Sequence, residues 1–167
     1  MRVAVDCYKG NVGVVDRLVY WMAVGFGTGL VPKAPGTIGT LIGLPFYLIM
    51  MNWPWWQYLV GVSAAFIVGI WICGEVSRNT GVTDAPFIVW DEIVGFLITL
   101  FLVPPGWIWL VLGFLLFRLF DIWKPWPIRN IDRGVHGGLG IMLDDVVAGI
   151  FAMLLMQGIY FVILKYL

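Results

Sequence analysis

Charge is scarce in this chain. Charged residues fill 12% of its 167 positions and hydrophobic residues 61%, whereas soluble domains have about 25% charged and about 45–50% apolar residues. A soluble domain of this size could not bury so much apolar surface, because its surface is large relative to its volume. The composition therefore predicts an integral membrane protein. The formal net charge is zero, so no overall field attracts nucleic acid, and we expect no nucleic-acid partner.

Cysteine is scarce, and several phosphotransfer motifs are absent. The two cysteines, Cys7 and Cys73, lie far apart and have no metal or redox spacing. Neither begins a Cys-x5-Arg phosphatase loop, and the chain has no G-x4-GK[ST] nucleotide loop. The D-x-D motif of haloacid-dehalogenase phosphatases and the sequence pattern of CDP-alcohol phosphatidyltransferases are absent as well. These absences argue against thiol, nucleotide and aspartyl-phosphate chemistry.

The apolar segments have the lengths of membrane helices. Residues 56–73 and 146–164 form the clearest spans, each near the roughly 20 residues that cross a bilayer core. Residues 37–51 form a shorter third span that contains Pro45. Residues 18–26 predict a short interfacial or re-entrant helix, followed by a loop that runs to Thr40.

Two further apolar arms flank Pro104-Pro105-Gly106, and they predict a helical hairpin from about Trp90 to Phe120. Each arm has about 14 residues, or roughly 21 Å at the helical rise, which is shorter than the hydrocarbon core. The hairpin is therefore either re-entrant, or its polar ends are drawn into the membrane interface. In both cases we expect Asp91 and Glu92 at one end to face Arg118 and Asp121 at the other. The whole pattern predicts an all-α integral membrane bundle of about five crossings plus the short N-terminal helix.

The charged residues are distributed unequally between the two sides of this bundle. The connections on one side are residues 1–36, 74–92 and 121–145. This side, with Arg118 at its edge, holds nine of the ten lysine and arginine residues and all ten acidic residues, and Lys165 lies opposite. By the positive-inside rule this side is cytoplasmic. One-sided polarity favours an enzyme that acts at the inner leaflet over a transporter, which usually needs polar groups near the bilayer midplane.

Residues 118–145 are the densest polar segment. They hold four basic residues, four acidic residues and the only histidine, between two apolar segments. Charge at a membrane boundary is costly, so such a segment indicates a functional site. Carboxylates of this segment and of the hairpin entrance could supply oxygen ligands to Mg²⁺, whereas without a cation they would repel one another. The candidate metal ligands are Asp91, Glu92, Asp144 and Asp145, with Asp121 as a further ligand or as a partner of a ligand.

Basic and glycine-rich segments complete the candidate site. Four basic residues could hold phosphate oxygens: Arg118, Lys124, Arg129 and Arg133. The segment "PKAPGTIGT" offers Lys33 and Thr37 beside a helix N-terminus, where anions bind. His136, in the predicted flexible loop "HGGLG", is a candidate general acid or hydrogen-bond partner of a carboxylate. The plainer alternatives are that the aspartates cap helices and that the basic residues only anchor the protein in the membrane.

Four blocks of the chain resemble one family. "AVGFGTGLVPKAPGTIGTL", "VWDEIVGF", "FRLFDIWKPWPIRNIDR" and "HGGLGIMLDDVVAG" are similar, in this order and spacing, to the phosphatidylglycerophosphatase A family. The resemblance runs from Trp21 to about Gly158, which predicts an N-terminal tail at residues 1–16 and one membrane-embedded domain at 17–167. It implies an all-α fold and Mg²⁺-dependent removal of the terminal phosphate of phosphatidylglycerophosphate in the bacterial inner membrane.

The sequence therefore predicts a Mg²⁺-dependent phosphatidylglycerophosphatase, a phosphoric monoester hydrolase that uses metal-activated water. Its partner is the phospholipid substrate, and no protein partner is evident. The catalytic candidates are Asp91, Glu92, Asp121, His136, Asp144 and Asp145. Two alternatives stay open: a small non-enzymatic membrane protein such as a channel or transporter subunit, and a CDP-alcohol phosphatidyltransferase.

Overall fold

The described part of the protein is helical throughout. The computed structural model describes residues 13–82 and 85–166, and no strand occurs within these ranges. This confirms the predicted all-α class. A 3₁₀ helix at Gly25–Leu30 follows the first of the α-helices, which are α1 (Val14–Ala23), α2 (Pro35–Met50), α3 (Trp55–Thr80), α4 (Trp90–Thr99), α5 (Trp107–Trp123), α6 (Ile128–Gly134) and α7 (Gly137–Tyr166).

Helix α4 is the centre of the fold. It contacts α2, α3, α5 and α7, and eight of its ten residues are buried. Its sequence "WDEIVGFLIT" is apolar on all faces after the first turn, as expected for a helix enclosed by its neighbours. The first arm of the predicted hairpin is therefore a short core helix around which the longer helices are arranged.

Two helices are long and apolar enough to cross a membrane by length and composition, namely α3 with 26 residues and α7 with 30 residues. Helix α2 is a shorter apolar helix of 16 residues. The outer faces of α3 and α7 expose large apolar side chains, such as Ile67 on α3 and Leu154 and Phe161 on α7. Extended exposed apolar surface of this kind marks a membrane or protein contact, so the fold is compatible with a helical membrane protein.

The helices gather their ends into a polar end and an aromatic end. At the polar end, α2, α4 and α7 begin and α3 and α5 finish: Glu92 lies against Gly36, Gly74 against Gly138, and Arg118 pairs with Glu92. The last contact confirms the prediction that the two ends of the hairpin face each other. At the aromatic end the opposite termini surround a pocket of about 290 Å³, lined among others by Tyr47, Trp53, Trp55, Pro104 and Tyr160.

Helix α7 begins at Gly137, nine residues before the predicted start at position 146. The prediction of a flexible "HGGLG" loop is therefore wrong. A Cβ atom on Gly138 would overlap the backbone oxygen of Ile70 on α3, so this glycine permits close packing of two helices. Asp144 and Asp145 are the eighth and ninth residues of α7, which rules out the alternative that they cap its N-terminus.

Helix α2 begins at Pro35, so the loop predicted to run to Thr40 is also wrong. Proline favours the first position of a helix, because its φ angle is preset and its missing N–H would have no partner there. Thr40 is buried, and its Oγ1 donates a hydrogen bond to the backbone oxygen of Gly36 at 2.8 Å. Thr37 is thus the third residue of a helix rather than part of a loop.

The N-terminal segment and the hairpin differ from the prediction in detail. Helix α1 starts at Val14, inside the tail predicted for residues 1–16, and positions 1–12 lie outside the described residues. The hairpin arms are unequal, with ten residues in α4 and 17 in α5. Gly106 precedes α5 and has a φ of 148°. Residues other than glycine rarely adopt this backbone conformation.

A glycine contact between α4 and α7 provides a stability test. A Cβ atom on Gly149 would overlap the backbone oxygen of Gly95, whereas nothing lies within 4 Å of a Cβ on Gly158 in the same helix. We expect Gly149→Ala to lower the free energy of unfolding by about 1–3 kcal/mol, because α4 and α7 must separate. Gly158→Ala is the matched control and should be neutral or stabilising by up to about 1 kcal/mol. Equal stability of both variants, measured by unfolding in mixed micelles, would contradict this packing.

Candidate active site

The side chain of Glu92, on α4, packs against the first turn of α2. Glu92 follows Asp91 in the first turn of α4, where the helix dipole favours acidic residues. A Cβ atom on Gly36 would overlap the Glu92 carboxylate, and one on Gly39 would lie 2.8 Å from its Oε2 atom. The carboxylate thus occupies the space that two missing side chains leave, at the positive end of the α2 dipole. Sequence reasoning selected Thr37 from this segment and missed the two glycines.

Arg118 joins α4 to α5. Its Nη1 atom lies 3.0 Å from Oε1 of Glu92 and 2.6 Å from Oδ2 of Asp121, and its side chain is only 15% exposed. Asp121 is three residues further along α5, on the same face of that helix. A single guanidinium group therefore fixes a carboxylate of each hairpin arm. The Nε atom of Arg118 is buried and has no hydrogen-bond partner among the described residues.

Lys124 joins α5, α6 and α7. It follows the last residue of α5 in a left-handed conformation, and its Nζ atom lies 2.6 Å from Oδ1 of Asp132 and 2.7 Å from Oδ2 of Asp144. Burial opposes the charged ammonium form, but the hydrogen bonds to both carboxylates outweigh it and raise the pKa of Lys124 above its ordinary value. Asp132 was not among the sequence candidates, because only the packing of α6 on α7 brings it to this amine.

Asp145 is the most deeply buried acidic residue of the site, with 3% of its surface exposed. The charges of Asp121, Asp91, Asp144 and Glu92 all act on its carboxylate. Successive residues of a helix point about 100° apart, so Asp144 reaches Lys124 while its neighbour points into the protein. Gly95, one turn after Asp91 on α4, lies against the backbone of Asp145, and Arg118 joins Glu92 to Asp121, so acidic residues of α4, α5 and α7 lie at the same end of the fold.

The donor set of this cluster fits a hard divalent cation. Carboxylate oxygens are the ligands that Mg²⁺ prefers, and a cation among them would lower their mutual repulsion. In residues 13–82 and 85–166, however, no group of three or more histidine, cysteine or acidic side chains forms a ready-made metal site. Glu92 and Asp121 contact Arg118, and Asp144 contacts Lys124. The metal roles predicted for Asp91, Glu92, Asp144 and Asp145 remain predictions.

The other candidates lie at varying distances from this cluster. His136 is exposed, but with Asp132 and Asp144 it lines a cavity of about 200 Å³. Arg129 is exposed and shares a groove on α5 with Arg118. Lys33 and Arg133 are exposed, and neither makes an ion pair with a residue of the described part of the chain. Thr37 is half-buried beside Gly36.

Buried carboxylates and the basic side chains of Arg118 and Lys124 meet at one end of the helices, and this arrangement defines a candidate active site in an all-helical protein. The family model of phosphatidylglycerophosphatase A matches residues 21–160. The chain belongs to that family. The prediction that it is an enzyme, a phosphatase, is thereby confirmed, and the channel, transporter and phosphatidyltransferase alternatives are set aside.

Individual relatives agree with this assignment. The phosphatidylglycerophosphatase A of Escherichia coli K12 is 48% identical over 132 residues, which cover 78% of this chain and 77% of that protein. That of Haemophilus influenzae is 40% identical over 145 residues, covering 86% and 89%. A putative phosphatidylinositol-3-phosphatase of Bacteroides thetaiotaomicron is 37% identical over 142 residues, covering 80% and 88%. No solved structure matches the chain.

The glycine contact with Glu92 can be tested through activity. We expect Gly36→Ala to lower kcat about 10- to 100-fold, because the added methyl group displaces the Glu92 carboxylate and small misplacements of catalytic groups are costly. Gly134→Ala is the control, since a Cβ atom there has nothing within 4 Å, and its kcat should stay within about twofold of the parent. Phosphate release and far-UV circular dichroism should be measured on both variants. Unchanged kcat in Gly36→Ala would show that the position of Glu92 does not matter.

Proposed function

We propose that this protein hydrolyses the terminal phosphomonoester of phosphatidylglycerophosphate to phosphatidylglycerol and phosphate, a step of phospholipid biosynthesis. The relatives from Escherichia coli and Haemophilus influenzae are named for this activity. The observation that carries the proposal is the gathering of acidic residues of α4, α5 and α7 at one end of the fold, where Arg118 binds Glu92 and Asp121, and Lys124 binds Asp144. Such a cluster combines acids and bases for proton transfer with cations for a phosphate.

The cations of the polar end bind the terminal phosphate. Arg118 retains a buried Nε–H donor that no described residue accepts, and a guanidinium group suits the geometry of phosphate oxygens. Lys124 adds a compact positive charge on the other side of the carboxylates. Both charges would stabilise the negative charge that spreads over the phosphoryl oxygens in the transition state. Arg129 and Arg133, on α6, are exposed cations that add to the positive field at the entrance.

A Mg²⁺ ion is the second part of the proposal. Asp91, Glu92, Asp144 and Asp145 would hold it, and it would polarise the phosphoryl oxygens and lower the pKa of a water molecule. The carboxylate character of the cluster supports this choice of metal. Asp121, tied to Arg118 at 2.6 Å, holds the arginine at the border between phosphate and carboxylates.

The reaction requires one bond to form and one to break. A water oxygen attacks phosphorus opposite the glycerol oxygen, and the phosphorus–glycerol oxygen bond breaks. A carboxylate of the cluster accepts the proton of the water, and the leaving oxygen takes up a proton. His136 lines the same cavity as Asp144, and its imidazole can supply that proton. Inorganic phosphate and the lipid alcohol are the products.

The proposal extends to the membrane. We infer about five crossings of the bacterial inner membrane with the polar end in the cytoplasm, because α2, α3, α4, α5 and α7 alternate in direction between the two ends. Arg118, Lys124 and the two arginines of α6 belong to the polar end, while Lys165 occupies the last turn of α7 at the other. This asymmetry fits the positive-inside rule.

Phosphate release by the purified protein tests the activity and the metal. We expect release from phosphatidylglycerophosphate in detergent–lipid micelles with Mg²⁺, and loss of at least about 100-fold in excess chelator that Mg²⁺ reverses. Phosphatidylinositol 3-phosphate should be assayed in parallel, because the Bacteroides thetaiotaomicron relative bears the name of that activity. Absence of release would overturn the proposed activity, and full activity in chelator would overturn the metal.

Two substitutions that replace a carboxylate by an uncharged amide of similar shape test the carboxylate cluster. We expect Asp145→Asn and Glu92→Gln each to lower kcat by at least about 100-fold, since even the neighbours of metal ligands contribute about 10–100-fold. Glu75→Gln is the matched control, because Glu75 pairs with exposed Arg78 on α3, away from the cluster. Circular dichroism and thermal unfolding would show whether the variants fold. Near-parental kcat in both cluster variants would return these residues to a structural role.

A further inference from the structure

The polar end opens sideways onto a groove on the outer face of α5. The groove has a volume of about 930 Å³ and is lined by Leu115, Arg118, Leu119, Ile122, Trp123 and Arg129. Its three aliphatic residues are spaced as i, i+4 and i+7, so they form one stripe along α5. Each of them is more than half exposed. The stripe covers about 10 Å of helix, and Arg118 lies beside it, between Leu115 and Leu119 along α5.

Arg118 lies between this groove and the carboxylate cluster and contacts both. Its side chain lines the groove, while its guanidinium group contacts Glu92 and Asp121. The groove is therefore continuous with the candidate active site and differs in this respect from the other exposed apolar faces. Arg129 lies at the same polar end of the groove, is exposed, and makes no ion pair with any residue of the described ranges.

We infer that this groove is the binding subsite for the diacylglycerol and phosphodiester part of the phospholipid substrate. This inference rests on the proposed function. The acyl chains lie along Leu115, Leu119 and Ile122, and Arg129 binds the phosphodiester. The terminal phosphate then reaches Arg118 and the carboxylates.

Charge and length favour this occupant. Phosphatidylglycerophosphate has two phosphate groups separated by a glycerol, and two arginines line the groove. A stripe of about 10 Å accommodates the upper part of an acyl chain in one leaflet, which is about 15 Å deep. The substrate can enter from the bilayer without leaving it, since Leu115, Leu119 and Ile122 already face outward.

The first test removes the apolar stripe. We expect the double variant Leu115→Ser/Leu119→Ser to raise KM for phosphatidylglycerophosphate in mixed micelles about tenfold, with kcat within about twofold, because it removes lipid contact and leaves the carboxylates in place. The matched control is Leu154→Ser/Leu155→Ser, which changes two exposed leucines of α7 and should leave KM unchanged. Leu119→Trp, which stays apolar but fills the groove, should also raise KM and gives the readout if the double variant does not fold.

The second test addresses the phosphodiester. We expect Arg129→Gln to lower kcat/KM for phosphatidylglycerophosphate about tenfold more than for phosphatidic acid, which has the acyl chains and a phosphomonoester but no phosphodiester. Arg78→Gln, at an exposed position on α3, is the control and should leave this ratio unchanged. An equal loss on both lipids would assign Arg129 to general electrostatic attraction and would overturn its role in the inference.

The outcomes separate the inference from the proposed function. Without phosphate release from phosphatidylglycerophosphate by the parent protein, the proposed function fails. With an active parent and unchanged KM in both the serine double variant and Leu119→Trp, the groove inference fails alone. Light scattering should accompany the kinetics, since a second copy of the chain is the competing occupant of the groove. If the parent is a dimer and the serine variant a monomer, with KM unaltered, the groove binds a second copy of the chain and the lipid inference is overturned.

Discussion

The accumulation of carboxylates in the interior of the polar end is the constraint on which the rest of the structure depends. Asp91, Asp144 and Asp145 are buried at this end, and Glu92 and Asp121 lie there as well. Like charges repel strongly where water is scarce. Arg118 and Lys124 counter this repulsion, and each contacts carboxylates of more than one helix. The same ion pairs that stabilise the site therefore also set the relative positions of α4, α5, α6 and α7.

The short central helix makes this arrangement feasible. Because α4 has ten residues, its acidic first turn stays at the polar end while its apolar remainder fills the core. Glycines let neighbouring backbones approach it: Gly36 and Gly39 on α2 face Glu92, and Gly149 on α7 faces Gly95. Small residues at such contacts are typical of helices that pack within membranes. The packing of α4 in the core therefore also determines where its two carboxylates lie.

The sequence predicted much of the candidate site but fewer of the helix boundaries. The hairpin spacing predicted that Asp91 and Glu92 would face Arg118 and Asp121, and the Glu92–Arg118 pair confirms it. The predicted start of α7 and the predicted loop before Thr40 were wrong. Glycine was taken as a sign of flexibility in both segments, whereas it permits close contact between helices there. Asp132, Gly36 and Gly39 were missed, since their importance depends on helices that are distant in sequence.

The sequence by itself determined the all-helical class, the concentration of charge in a few segments and the family, because composition, apolar run length and motif order are local properties of the chain. Only the tertiary structure decided which carboxylates meet, which cation contacts them and that α4 lies at the centre. It also decided that Asp144 bonds Lys124 while Asp145 points into the interior. These features depend on the rotation and depth of each helix, which backbone contacts at glycines and buried ion pairs fix together.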